Sequence, residues 1–240
     1  MNRLTGVEEL LDGPLDDPTE LAVNLRDLGR LNRLSGAVRL SERAVAALSG
    51  AGAAATPASD RPATILDVGT GGADIPIALL ARAAHAGRGL AVTATDSRVE
   101  VLAAARAVRP AIDRVTGLTL ELADGRGLPY ADNAFDIAHA SLVLHHLEPV
   151  DAVAFLREMR RVARNGIVVN DLVRGRLAWV GTWLAVHAFA TGRYARHDGP
   201  LSVRRAYSRP ELVGLLDAAG LGPVATIVGF AGHRVAIAAR

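Results

Sequence analysis

The chain has 240 residues, half of them apolar and 4% aromatic, with 27 basic against 25 acidic residues and a formal net charge of +2. That length and composition suit one domain of α/β size with a substantial core, and arginines spread without a basic run argue against a nucleic-acid partner. The absence of cysteine excludes disulfides, thiolate catalysis and thiolate metal sites. The polar, acidic N-terminus predicts no secretory signal. The longest apolar block, residues 177–190, is interrupted by Gly181, Thr182 and His187 and is too short to span a bilayer. A cytoplasmic protein without a membrane partner is the expectation.

Residues 1–17 are polar and turn-rich. Asp17 followed by Pro18 reads as an N-cap and first helical residue, after which Leu21, Leu25, Leu28 and Leu31 recur at helical spacing. Arg26, Asn32 and Arg33 read as a solvated face of that helix, with closure over a ligand as the functional alternative. A second helix is predicted over 37–48. The Ala/Gly/Pro/Ser-rich stretch 49–62 reads as a linker. Residues 1–62 therefore form an N-terminal helical arm and linker ahead of a domain at 63–240.

Strands and helices then alternate. Strands are predicted at 64–68, 90–95, 118–122, 135–140 and 167–170, and helices at 74–86, 99–108 and 151–163. This alternation means a parallel sheet that binds ligands at the C-terminal ends of its strands. After the fifth strand comes an apolar helix over 177–190, with Trp179 and Trp183 four apart on one face. Packing on the core, lining a pocket and forming a homodimer contact are the roles open to it. Residues 193–207 read as a basic, irregular loop. Ser208 and Glu211 form a capping box for a last helix, and strands at 224–230 and 234–239 form a hairpin.

The apolar run that stops at Asp67 and continues as Val68-Gly69-Thr70-Gly71-Gly72-Ala73-Asp74 is a strand, a tight turn and a helix N-terminus. Glycines let backbone N–H groups approach a ligand there, and the helix start carries partial positive charge. A dinucleotide fingerprint needs glycine at position 74, where Asp74 would face a pyrophosphate, so that reading fails. Asp96 closes the second strand, where a carboxylate can accept hydrogen bonds from a pair of ligand hydroxyls. Asp124-Gly125 follows the third strand.

Leu66 to Ala73 resembles the first motif of class I S-adenosylmethionine-dependent methyltransferases, with Ala73 in place of the last glycine. Leu128 to Asp136 resembles the LPF-x-D-x-x-FD stretch of the same family, and the likeness covers about residues 63–166. It implies a Rossmann-like, mostly parallel seven-stranded sheet with a C-terminal antiparallel hairpin. It also implies S-adenosylmethionine as cofactor, held by Asp67, Gly69, Thr70, Gly71, Asp74, Ile75, Asp96, Ser97, Asp124, Gly125 and Ser141. Asp136 would be structural, supporting the turn near the first motif.

The His145-His146-Leu147 run recurs in methyltransferases resembling the ubiquinone/menaquinone-pathway type. Methyl transfer from a sulfonium is an in-line displacement governed by positioning, and a hydroxyl acceptor gains from a nearby base. His145, His146 and His197 are the candidate bases. Two adjacent histidines on a regular helix cannot both enter one pocket. No metal is expected, because consecutive histidines without a nearby third ligand match no usual spacing. Asn170, Asp171, Trp183 and Arg204 are the candidate substrate contacts. Near the two ends, NLRDL-x-RLN and RHDGPLSVRRAY are similar to bacterial small-molecule methyltransferases encoded beside polyketide and monooxygenase genes. The expected activity is methyl transfer to a hydroxyl of a small phenolic, quinone-like or polyketide acceptor. C-methylation of a quinone-type ring, carboxyl methylation and cofactor binding without turnover are the alternatives.

Overall fold

The computed structural model describes residues 1–50 and 61–240. Its centre is a sheet of seven strands, β1 (Ala63–Val68), β2 (Leu90–Asp96), β3 (Leu118–Leu122), β4 (Ile137–Ser141), β5 (Ile167–Leu172), β6 (Pro223–Val228) and β7 (Arg234–Ala239). Their order is β3-β2-β1-β4-β5-β7-β6. Strands β1 to β5 pair in parallel, while β7 runs antiparallel to both β5 and β6. Helices cover both faces, so the central strands are near-continuous apolar runs; Ile167, Val168 and Val169 of β5 are all buried. The strand order reverses between β1 and β4, and a sheet of this kind opens a ligand crevice at that point.

On one face α2 (Ala37–Gly50) and α3 (Asp74–His85) pack over Ile65, Val92 and Val168. On the other, α5 (Pro149–Val162) and α8 (Arg209–Ala218) cover Leu66, Val68 and Ile237 through Phe155, Met159 and Leu212. Helix α1 (Pro18–Leu34) is seated against α4 (Val99–Val108) by Leu21, Leu25, Val101 and Ala105. Asp17 caps α1 by accepting the N–H groups of Thr19 and Glu20, and the Ser208–Glu211 capping box of α8 is formed. Among the described residues, no helix is long and apolar enough to cross a membrane.

The sequence expectations need correction in four places. Residues 193–207 are not an irregular loop: α7 runs from Arg193 to Arg205, pairing with α6 (Arg176–Phe189). The N–H groups of Thr191 and Gly192 donate to the buried Asp27 at 2.7 and 2.8 Å, which anchors the start of α7. Its apolar positions Tyr194, Ala195 and Val203 are buried, a pattern that the interleaved arginines hide. Asn32 is buried rather than solvated. Strand β4 begins at Ile137, with Phe135 making an isolated bridge to Ala163. Helix α2 continues through Ser49 to Gly50, so the expected linker starts later, and residues 51–60 of it lie outside the described residues.

Candidate active site

The loop after β1 is built for close approach. Gly69 and Gly71 have φ of +72° and +54°, and Ala73, at the N-cap of α3, is also left-handed. No side chain caps α3, so its first-turn N–H groups remain available to a ligand. Thr70 Oγ1 is buried there without a hydrogen-bond partner. Asp96 lies beside the loop and accepts N–H bonds from Gly71 at 3.1 Å and Arg98 at 3.2 Å. Burial pushes its carboxyl above the ordinary value, although these backbone donors oppose the rise. An unpaired hydroxyl, free helix N–H groups and a carboxylate with spare lone pairs suit the amino-acid end and the ribose of an adenosyl sulfonium.

The acids at the ends of β1, β2 and β3 share a rim but not an orientation. Of the three, Asp96 turns to the glycine loop. Asp67 turns into the helical layer, where its Oδ1 meets His139 Nδ1 at 2.5 Å. His139 Nε2 meets Ser41 Oγ of α2 at 2.8 Å. The amide of Asn170 donates to the same Ser41 at 2.7 Å and accepts from Arg234 at 2.6 Å. Arg234 also donates to Asn32 and Ser141, and Asn32 donates to Asp74 in the first turn of α3. This buried polar chain joins the helical arm to the strand ends. Complete burial pulls the Arg234 guanidinium down to about 10. Asp124 is exposed and ion-paired with Arg126, which holds its carboxyl below the usual range. Gly125 is fixed by packing, since a Cβ there would lie 2.4 Å from Phe155. Ile75 is buried and Ser97 exposed. Asp136 supports the start of β1, accepting from Thr64 N at 2.8 Å, and not the turn at its far end.

A cavity of about 430 Å³ lies between α1, α6, α7 and the turn after β4. Leu28, Leu31, Leu172, Ala185, Val186 and Phe189 give it an apolar lining, and Glu9, His145 and His146 stand together on a polar side that Asn32, Ser202 and Arg234 also border. Both histidines reach the cavity because their segment is a single 3₁₀ turn, entered through Leu142 at φ +59°. Their rings stack at 4.2 Å, contrary to the expectation from a regular helix. His145 Nδ1 lies 2.7 Å from Asp171 Oδ1, and His146 Nδ1 lies 2.8 Å from Asp12 Oδ1. Glu9 accepts from Ser202 Oγ at 2.9 Å and is otherwise enclosed, so burial pushes its carboxyl up to about 7 despite His146 and Ser202. Burial works against ionisation of Asp12 too, yet His146 and Arg205 hold it far below the usual range. Asp198 on α7 accepts the N–H groups of Leu10 and Leu11 and so fixes the segment that carries Glu9.

The remaining candidates lie elsewhere. His197 is on the exposed side of α7, paired with Asp198, and does not line the cavity. Trp183 is 42% exposed and stacks on His187, because the cavity face of α6 is the one carrying Ala178, Thr182 and Val186. Arg204 is exposed, whereas its neighbour Arg205 is buried against Asp12. Sequence reasoning missed Glu9, Asp12 and Arg205. No local pattern marks them, since their environment exists only when the N-terminal segment crosses α7.

Residues 65–166 match a family described as a methyltransferase domain. Over 113 residues the chain is 38% identical to the ubiquinone/menaquinone biosynthesis C-methyltransferase of Bdellovibrio bacteriovorus, covering 47% of this chain and 45% of that protein. A solved S-adenosylmethionine-dependent methyltransferase from Aquifex aeolicus superposes with a TM-score of 0.61 at 19% identity, over 93% of this chain and 97% of its own. An O-methyltransferase family 2 protein from Planctomyces limnophilus, solved with apigenin, gives 0.62 at 18% identity over 95% of this chain and 63% of its own. Residues 65–166 thus match a methyltransferase domain, and the chain shares its fold with solved S-adenosylmethionine-dependent methyltransferases.

Proposed function

We propose that the protein transfers a methyl group from S-adenosylmethionine to a hydroxyl of a small aromatic acceptor bound in the cavity beneath α6 and α7. The observation that carries this reading is the cavity itself, whose apolar walls enclose a polar side where Glu9, His145 and His146 stand together. Its volume suits a ligand of drug-like size, and its lone pairs converge where a hydroxyl must lose a proton. Asp96 receives the ribose hydroxyls, while Thr70, Gly69, Gly71 and the start of α3 at Asp74 and Ile75 receive the amino-acid end. Ser97, Asp124 and Gly125 border the adenine, and Ser141, Asn170 and Asp171 stand behind the reacting centre. His145 and His146 are the residues of this wall whose Nε2 atoms face the acceptor. The transfer makes the oxygen–methyl bond as the sulfur–methyl bond breaks, so placement supplies most of the rate.

Methylation of a ring carbon in a quinone-type acceptor is the second reading, favoured by the relative named as a C-methyltransferase. Incubation with labelled cofactor and a panel of phenols, hydroxyquinones and aromatic polyketides tests both. Magnetic resonance separates an oxygen-bound from a carbon-bound methyl in the product. The cofactor is tested by thermal shift, since S-adenosylhomocysteine at a hundred times its Kd stabilises by about 2.7 kcal/mol. No shift at millimolar ligand, with Asp96→Ala behaving as wild type, sinks the reading.

A further inference from the structure

We propose that Glu9, His145 and His146 form a site for one divalent transition-metal ion of the zinc type, set in the polar wall of the acceptor cavity. The donor set is two imidazole nitrogens and a carboxylate whose ligand atoms all lie within 4.8 Å of one another. His145 Nε2 stands 3.9 Å from Glu9 Oε1, and His146 Nε2 stands 3.9 Å from Glu9 Oε2. Ligands at roughly 2.0–2.2 Å from zinc stand about 3–3.5 Å apart, so closure needs movements that the torsions of Glu9 supply. The third ligand that the spacing of consecutive histidines lacked comes from the N-terminal segment.

The surroundings also match a metal centre. Each histidine has its Nδ1 against a carboxylate, His145 against Asp171 and His146 against Asp12. The Asp171 carboxylate accepts a hydrogen bond from His145 Nδ1–H, which fixes that tautomer and leaves the His145 Nε2 lone pair facing inward. Asp12 stands where it favours the same tautomer of His146. Here both inward lone pairs meet the oxygens of Glu9 across 3.9 Å, too far for a hydrogen bond. Glu9 Oε1 is buried and has no hydrogen-bond partner. Arg205 Nη1 lies 3.4 Å from that oxygen, but the guanidinium is engaged by Asp12 at 2.5 Å and by the carbonyl of His146 at 2.9 Å. A cation set among Glu9 Oε1 and the two Nε2 atoms would give these facing acceptors a common partner. Imidazole donors select zinc-like ions over magnesium.

Three protein ligands leave a coordination position open toward the cavity, as metal sites that act on a substrate do. The role of that position rests on the methyl-transfer reading; the site does not. An acceptor hydroxyl held there loses its proton to solvent near neutral pH. Its oxygen lone pair then forms the bond to the methyl carbon, and the sulfur of the sulfonium leaves as a thioether with the electrons of the broken bond.

The test uses the chain without a histidine tag, stripped with a chelator and titrated calorimetrically with zinc chloride or magnesium chloride. One zinc per chain, a raised Tm with zinc and no response to magnesium are expected. Glu9→Gln, His145→Gln and His146→Gln should each weaken zinc about 10–100-fold. His197→Gln, outside the cavity, should leave zinc affinity unchanged. Cobalt(II) added to wild type should show visible absorption of a low-coordinate nitrogen/oxygen site, which keeps the test decisive if the variants misfold. No stoichiometric uptake of zinc or cobalt by wild type, or uptake undiminished in all three folded variants, overturns the site. S-adenosylhomocysteine affinity of the stripped chain is measured in parallel. Its retention without zinc uptake removes the metal alone, and its absence with zinc uptake removes the methyltransferase reading alone.

Discussion

His145 Nδ1 and Asp171 Oδ1 lie 2.7 Å apart, joining the turn after β4 to the end of β5, and a second oxygen of Asp171 accepts the His145 backbone N–H at 3.2 Å. One carboxylate thus fixes both the ring and the backbone of the residue that presents Nε2 to the cavity. Burial opposes the charge on Asp171, but His145 holds its carboxyl below the usual range, so the pair stands or falls together. Truncating Asp171 to alanine should destabilise the fold by about 3–5 kcal/mol in urea unfolding, because partners remain buried and unpaired. His145→Gln combined with Asp171→Ala should cost less than the two singles added. Simple additivity would show that the two do not act as a unit.

If Asp96 receives the ribose as proposed, the binding of S-adenosylhomocysteine should depend on pH. Burial raises its carboxyl in the folded chain. Protonation therefore stabilises the ligand-free fold: that contribution is fully present below the unfolded pKa and is lost as pH rises through the folded one. The ribose needs the carboxylate as acceptor, so affinity moves the opposite way and weakens on acidification, starting above the pH at which an ordinary aspartate titrates. Calorimetry across the acid range should show this trend in wild type and a flat profile in Asp96→Asn. A flat wild-type profile would place the ribose elsewhere.

Much of this arrangement is local and was legible in the chain. The β1–loop–α3 unit follows from an apolar run, glycines and a helical pattern, and the caps at Asp17 and Ser208 from residue type alone. Even the orientation of Asp67 lay within reach: Ile65 and Asp67 share a face of β1, and Ile65 packs under α2 and α3. The polar wall was not legible. Glu9 meets the histidines only through tertiary contacts, and the paired histidines depend on Leu142 adopting a left-handed backbone, which its residue type disfavours. Helix α7 was hidden because Asp198 and Arg205, polar by composition, are buried against the N-terminal segment.

The glycines of the structure separate into strained and free positions, and substitution should show it. At Gly69 the backbone has φ +72°, and a Cβ would lie 2.5 Å from a methyl of Val143. Gly69→Ala should therefore unfold at lower denaturant and lose S-adenosylhomocysteine binding. In α8, a Cβ at Gly214 would meet nothing within 4 Å. Gly214→Ala should stabilise by about 0.5–1 kcal/mol through helix propensity, with binding unchanged. Equal effects at the two sites would mean that the loop after β1 is not held as described.

Neighbouring arginines on α7 should differ as sharply. Arg204 is exposed, and Arg204→Ala should change stability by no more than about 0.5 kcal/mol. Arg205 is buried and donates to Asp12 and to the carbonyl of His146. Arg205→Ala should destabilise by several kcal/mol, of the order seen when a buried ion pair loses one member. Urea titration of the two variants side by side decides the assignment, and comparable losses would show that α7 turns a different face inward.

The cavity can be filled without touching the cofactor loop. Ala185 lines it from α6 and is partly exposed to it, whereas the residues around Asp96 are not among its walls. A phenylalanine at position 185 projects a ring into the space assigned to the acceptor. Ala185→Phe should raise the acceptor KM at least tenfold, or abolish turnover, while S-adenosylhomocysteine affinity stays within about twofold; overpacking itself costs roughly 1–3 kcal/mol of stability. Steady-state kinetics and calorimetry on the same preparation separate the two effects. Unchanged acceptor kinetics in the folded variant would move the acceptor out of this cavity, and lost cofactor affinity would show that the two sites share a wall.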